Sequence, residues 1–423
     1  MTPEQAPRLD EATALAFDAA DPLAAIRDSF MIPVTPDGRP KAYLAGNSLG
    51  VQPVGARAAV ETELEAWARL AVDGWFAPDR PWLDAERSIA DMTARLVGAS
   101  STEVTTANTL TVNLHLLMSS FFRPAGRRTA ILIDAPTFPS DRYAVESQLR
   151  HHGLDPATDL IAIRPRNGEA TLRPDDLEAA MQEHGDRLAM TLLAGVNYAT
   201  GQAQDIGRLT EAAHRVGAVA GWDLAHAVGN VPLILHDAEV DFAAWCTYKY
   251  LNAGPGALGQ LFVHERLSRD AHALRLAGWW GNEPTTRFLM EERFEPGAGA
   301  DGWRVSTPPI LSLAPIGVSL ALFDQLGMTA LREKSVALTA YLETLIDGLV
   351  PEAEILTPRD PLQRGAQLSI RLPDARSRLA RIESSGVIGD FREPDILRLA
   401  PAPLYNSWHD AWRGAVALAD TRT

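Results

Sequence analysis

Lys249 is one of only three lysines in a 423-residue chain that carries 39 lysines and arginines. The others are Lys41 and Lys334. Where positive charge alone is needed, this chain uses arginine. Arginine stays protonated, whereas a buried lysine can lose its proton and act as a nucleophile. Lys249 lies in "DFAAWCTYKYLNAGPGALG" (Asp241–Gly259), between Tyr248 and Tyr250, and a glycine-rich segment follows. A lysine kept in an apolar run suggests amine chemistry. A stem lying along apolar surface with its ammonium in water fits the stretch equally well.

Three other stretches carry groups of the same interest. In "GWDLAHAVGN" Asp223 ends an apolar run and His226 follows three residues later. A buried carboxylate needs a partner, either a cationic ligand nitrogen or a structural arginine. The Asp-x-x-His spacing alone does not make a metal site, because zinc takes three or four ligands and no spaced Cys/His cluster supplies the rest. No metal is expected, and His151–His152 reads as a solvated helix end. In "TANTLTVNLHLLMSSFF" Thr109, Leu110 and Thr111 open an apolar helix, an arrangement that binds anions or merely caps the helix. In "DAPTFPSDRYAVESQ" Phe138 lies between strand and helix, where its ring either stacks on a planar ligand or packs in the core.

Taken together, these features describe one ligand: a phosphate, a flat ring with a basic nitrogen, and an aldehyde for Lys249. That ligand is pyridoxal 5'-phosphate (PLP), held as a Schiff base on Lys249, with Asp223 keeping the ring nitrogen protonated. Arginine cannot form that imine. The glycines after Lys249 are expected to let the backbone pass close to the cofactor.

The elements that must position these groups alternate. Thr129–Ala135, Arg187–Val196 and Ala218–Asp223 read as buried strands, with a helix over Ile206–Ala218 between the last two. "VDFAAWCTY" and "GALGQLFVH" are further strands. Such alternation predicts a mainly parallel sheet covered on both faces, with ligands at the carboxyl ends of its strands. After Pro315 the pattern changes to one long helical stretch and then a smaller α+β region. The expected division is an N-terminal segment, 1–50, packing on the small domain, a large cofactor-binding domain, 51–314, and a C-terminal small α+β domain, 315–423.

Composition bounds the setting. The chain is 46% hydrophobic with a net charge of -15, a pI near 5.1 and a mean hydropathy of -0.08. The acidity argues against nucleic acid as a partner. The lone Cys246 excludes an intrachain disulfide framework, and its apolar neighbours suggest an inert thiol. The first residues lack a basic segment followed by an apolar core, so no signal peptide is expected. No apolar run approaches the ~20 residues that span a bilayer. A cytoplasmic setting, without membrane contact, is expected.

"YLAGNSLGVQP", "TLTVNLHLLMSSFF", "TFPSDRYAVESQL", "GWDLAHAVGNVPL", "CTYKYLNAGPG", "STPPIL" and "LRLAPAPLYNSWHD" occur in this order from Tyr43 to Trp408. In these motifs the chain resembles the kynureninase family. The resemblance implies the PLP-dependent transferase fold of the aspartate aminotransferase type (fold type I, class V), with a seven-stranded mainly parallel sheet and a smaller α+β domain. It implies a homodimer with active sites at the subunit interface. The activity implied is that of a hydrolase acting on carbon-carbon bonds in ketonic substances. It converts L-kynurenine to anthranilate and L-alanine in tryptophan and kynurenine catabolism.

Carried over by position, the resemblance implies catalytic roles for Lys249, Tyr248 and Asp223. From its position beside the lysine, Tyr248 is the expected proton donor to Cβ. It implies cofactor contacts from Leu110, Thr111, Phe138, Pro139, Ser140, Asp141, Asp223, His226, Tyr248 and Lys249, with Trp279 and Thr307 reaching in from the other subunit. Substrate contacts fall on Arg398, which grips the carboxylate, and on Ser48, Trp75 and Thr307. Ala194 stands where relatives often carry a hydroxyl, and it is left out of the site. Trp75 and Thr307 occupy places where enzymes favouring 3-hydroxykynurenine tend to have His and Asn, so the hydroxylated substrate is expected to be the poorer one. The rival enzyme readings are an aminotransferase and a cysteine desulfurase of the same class. Cys246, the sole thiol a desulfurase could use, lies within a buried strand. A non-catalytic scaffold is the rival from another class, and it has no use for Lys249, Asp223 and Arg398 together.

Overall fold

The computed structural model describes residues 9–270 and 273–420. Short Val-, Ile- and Leu-rich runs, too brief for helices, form seven strands of one sheet. In chain order they are β1 (Val104–Thr106), β2 (Ala130–Asp134), β3 (Leu160–Ile163), β4 (Leu188–Ala194), β5 (Val219–Asp223), β6 (Phe242–Cys246) and β7 (Gly259–Val263). Across the sheet the order is β1-β7-β6-β5-β4-β2-β3. Pairing is parallel from β6 to β3 and antiparallel on both sides of β7. Every residue of β2, β6 and β7 is buried, as befits a sheet covered on both faces. This is the expected α/β architecture. Four adjacent strands, β6, β5, β4 and β2, finish at Cys246, Asp223, Ala194 and Asp134. Being parallel, they present those residues along one edge.

A second sheet is antiparallel, in the order Asp390–Arg392, Ile396–Leu399, Leu368–Arg371, Glu354–Ile355. Its core includes Leu338, Leu342, Ile370, Leu397 and Ala415. Ala14, Ala42 and Leu44 belong to the same cluster. The helix Glu11–Ala19 packs on Trp408–Ala419. Asp18 accepts hydrogen bonds from the amides of Trp408 (2.6 Å) and His409 (3.2 Å), so a carboxylate from one helix caps the positive end of the other. Ala42–Tyr43 pairs in parallel with Val387–Ile388.

The long helical stretch differs from its expectation. It is two helices, Ile310–Leu326 and Met328–Leu349, bent by 85°. Gly327 between them has φ +75°, a left-handed conformation open chiefly to glycine, so the helix cannot run through. Pro315 lies inside the first helix. No single helix among the described residues is long and apolar enough to cross a membrane.

Candidate active site

The chain leaves β6 at Cys246 and turns at once. The Thr247 hydroxyl donates to the Leu258 carbonyl (2.6 Å), and the amides of Asn252 and Ala253 donate to the carbonyls of Lys249 (3.0 Å) and Thr247 (3.0 Å). This fixes Lys249 at the strand end, 9% exposed. Its Nζ lies 2.9 Å from Nε2 of His226. Burial, then the charge of Lys249, holds the imidazole well below its usual pKa. A neutral ring accepting at Nε2 keeps its proton on Nδ1, which is buried and has no partner. Above the amine are the rings of Phe138 and Tyr248, each centred 5.8 Å from Nζ.

Three carboxylates converge here, two at strand ends and Asp141 in the first turn of the helix Pro139–His151. Asp223 accepts from the Ala225 amide at 2.8 Å. Asp141, 3% exposed, has an Oδ1 without a partner. Burial and then the negative charge of Asp223 push its carboxyl well above the usual range. Asp134 is pushed up to about 6 by burial and accepts from the Ala194 amide (3.2 Å) and Asn197 Nδ2 (3.1 Å). Two carboxylates side by side favour a cationic partner facing them.

The opposite end of the cavity suits an anion. Helix Leu110–Phe121 starts after Thr109, and Pro139–His151 starts after Phe138; neither N-cap side chain caps its helix. The two first turns meet where Thr111 Oγ1 and Ser140 Oγ lie 2.8 Å apart. Free backbone amides at two converging helix starts bind phosphate. At Gly259 a Cβ would sit 3.0 Å from the Leu110 amide nitrogen, so glycine is needed there for close approach. Gly254 and Gly256, in contrast, face open space and have φ +98° and +69°. Those two glycines permit left-handed turns. The donors, the carboxylate pair, the orphaned His226 Nδ1 and the amine all fit PLP.

Leu110, Thr111, Phe138, Ser140, Asp141, Asp223, His226, Tyr248 and Lys249 line one cavity. Pro139 begins the helix behind them. Thr109, Ala194, Val196 and Tyr198 complete the lining. Tyr198 also links the cavity to Arg398: its carbonyl accepts from Arg398 Nη1 at 2.6 Å. Arg398 is fully buried, and its Nη2 donates to Asp390 (2.6 Å) and Ser48 (3.1 Å). Gly50 draws this segment against the Lys249 turn, since a Cβ there would lie 2.3 Å from the Lys249 carbonyl oxygen.

Trp75, Trp279 and Thr307 do not line that cavity. Trp75 stands edge-on to Trp82 and tilted against Trp280, each at 5.5 Å. Trp279 is 46% exposed, and Thr307 is exposed. A larger groove of about 730 Å³, walled by Met31, Leu49, Val51, Val60 and Pro315, holds no comparable chemistry.

Sequence reasoning missed Asp134, Tyr198, Asp390 and Arg392. Asp134 carried the same signal as Asp223, an acid closing an apolar strand. It also missed Glu103, His236 and His264, whose ligand-type atoms lie within 4.8 Å of one another. Those atoms are occupied by hydrogen bonds: Glu103 accepts from the amides of Ser100 and Glu265 and bonds His236, and His264 Nδ1 accepts from the Arg266 amide.

Comparison with known proteins places the chain. The model of the kynureninase C-terminal domain matches residues 331–418. A kynureninase of Xanthomonas campestris pv. campestris (strain B100) is 54% identical over 409 residues, covering 95% of this chain and 96% of that protein. One from Salinispora tropica is 53% identical over 420 residues, covering 97% of each. Among solved structures, the cystine C-S lyase C-DES with glycine covalently linked to its PLP cofactor superposes with a TM-score of 0.75 at 17% identity, covering 90% of this chain and 96% of that one. A cysteine desulfurase from Thermococcus onnurineus NA1 gives 0.73 at 15%, covering 93% and 96%. These likenesses share the fold.

Proposed function

The chain belongs to the kynureninase family, and on that premise we propose that it hydrolyses L-kynurenine to anthranilate and L-alanine. The observation that carries the reading is the buried Lys249 amine, 2.9 Å from a neutral His226, in a cavity joined through Tyr198 to a buried arginine. Bound PLP supplies an aldehyde for the lysine amine and a protonated ring that draws electrons from the substrate Cα.

The chain's own residues do the rest. The amides of Leu110 and Thr111 and the Ser140 hydroxyl bind the phosphate. Asp223, backed by Asp141, holds the proton on the ring nitrogen, and Phe138 and His226 fix the ring plane. Arg398 grips the α-carboxylate with its fork, and Ser48 steadies it. Once released by the incoming amino group, Lys249 Nζ takes the Cα proton. After water adds to the γ-carbonyl and Cβ–Cγ cleavage frees anthranilate, Tyr248 donates a proton to Cβ. Burial pushes the Tyr248 hydroxyl up, so it is protonated at neutral pH and serves as an acid.

Two identical chains make the complete enzyme in this reading, with Trp279 and Thr307 of each reaching the other's cavity and Trp75 near the aryl ring. The exposed Trp279, Phe288, Leu289 and Met290 support it. The boundary between the cofactor-binding unit and the unit carrying Arg398 falls near Pro315, and the enzyme works in the cytoplasm. A desulfurase is disfavoured because Cys246 is 4% exposed and burial pushes its thiol up. Incubating the PLP-loaded protein with L-kynurenine and resolving the products tests the proposal. Anthranilate and L-alanine in equal amounts are expected; a transaminated keto product in their place would overturn it.

A further inference from the structure

Arg398 does not stand alone. It pairs across the small sheet with Asp390, directly opposite in register, and Asp390 Oδ2 takes its Nη2 at 2.6 Å. The other oxygen of that carboxylate, Oδ1, accepts from Arg392 Nη1 at 2.7 Å. The Ser48 hydroxyl also donates to Asp390. One carboxylate therefore bridges two guanidiniums, and the three groups carry one net positive charge. Arg398 Nε is buried and has no partner, so one of its N–H donors is free. Without Arg392, the pair Arg398–Asp390 would be neutral, and an incoming carboxylate would meet no net positive charge.

We propose that Arg392 is a substrate-positioning residue: through Asp390 it keeps the Arg398 site at one net positive charge, matched to a single α-carboxylate. The inference rests on the reading of Arg398 as the carboxylate grip. Arg392 acts at a distance through the shared aspartate. Its charge also reaches the cavity. Burial and Lys249 chiefly depress the His226 pKa, with Arg398 and Arg392 adding to them. Arg392 is 38% exposed, so the fold tolerates its replacement.

The test is a charge-balance cycle on the PLP-loaded enzyme: Arg392→Gln, Arg392→Lys, Asp390→Asn, the double variant Arg392→Gln/Asp390→Asn, and Arg398→Gln. Binding of L-alanine is measured by calorimetry, and KM and kcat with L-kynurenine. Arg392→Gln should weaken L-alanine binding and raise KM by roughly tenfold, with kcat little changed. Arg392→Lys should bind like the parent. Asp390→Asn should bind L-alanine at least as tightly as the parent. The double variant, back at one net charge, should recover most of the loss. Parent-like affinity in Arg392→Gln, an Arg392→Lys as weak as Arg392→Gln, or a double variant weaker than either single one would each overturn the inference. If Arg398→Gln also binds L-alanine normally, the grip itself has been misassigned. If Arg398→Gln alone is weak, only the charge sharing fails.

Discussion

The cavity around Lys249 and the aromatic surface around Trp279 are built to different states of completion. Lys249, Asp141, Asp223 and His226 are each 9% exposed or less, and they meet within one chain. The aromatic region has an equally firm base. Arg287 stacks on Trp280 at 4.3 Å and donates to its carbonyl at 2.8 Å. Arg304 and Glu86 form a buried pair beneath. Its outer layer is uncovered, with Phe76, Trp279, Leu289 and Met290 all exposed. An apolar patch resting on a rigid floor is the usual form of a surface awaiting a partner. The first region sets what chemistry is possible, and the second, in the proposed dimer, sets which substrate is chosen.

The largest effect that separates them concerns the amine. Lys249→Ala should lower turnover by about four orders of magnitude or more, and Lys249→Arg should do no better, because charge is not what is needed. Borohydride should fix the cofactor to Lys249 in the parent; label on Lys41 or Lys334 would dismantle the first half of the comparison. Next, Asp223→Ala leaves the ring nitrogen without its charge partner. Cofactor affinity in equilibrium dialysis should drop by about a hundredfold, and unchanged affinity would remove Asp223 from that role.

A smaller effect tests the second region. Burying an unpaired hydroxyl costs on the order of 1–3 kcal/mol, so 3-hydroxykynurenine should trail kynurenine by roughly one to two orders of magnitude in kcat/KM. The double change Trp75→His with Thr307→Asn should move that ratio toward the hydroxylated substrate. Equal parent values would mean that the aromatic surface does not select. The smallest effect returns to the cavity. Ala194→Ser places a hydroxyl in its wall, where one added hydrogen bond should tighten cofactor binding by roughly 2- to 10-fold. No change would show that the wall at β4 stands clear of the ligand.

The two regions also differed in how far the sequence disclosed them. Asp223, Lys249, Phe138, Leu110 and Thr111 sit where apolar runs stop or helices start, and such junctions are visible in local pattern. They converge in the fold because parallel strands place their carboxyl ends together. Trp75, Trp279 and Thr307 have no local signature at all and came from resemblance alone. Asp390 and Tyr198 were missed because their roles depend on register and loop geometry. A signal existed for Asp390: the "REPD" turn lies between two short apolar runs, and a hairpin folded there sets position 390 opposite 398. The bend at Gly327 was missed since its flanks both read as strong helix, and only φ reveals the break.

The pairing of Ala42–Tyr43 with Val387–Ile388 sets a schedule for synthesis. The β1–β7 sheet can close as soon as its own strands have left the ribosome. The early segment that bears Ser48 must wait until more than 300 further residues are made, on the order of tens of seconds at ~5–20 residues per second. During that interval the apolar Leu44 and Ala42, which end in the core of the small sheet, have nothing of their own to bury against. The side of the pocket that carries Ser48 and Arg398 is therefore the last to be assembled.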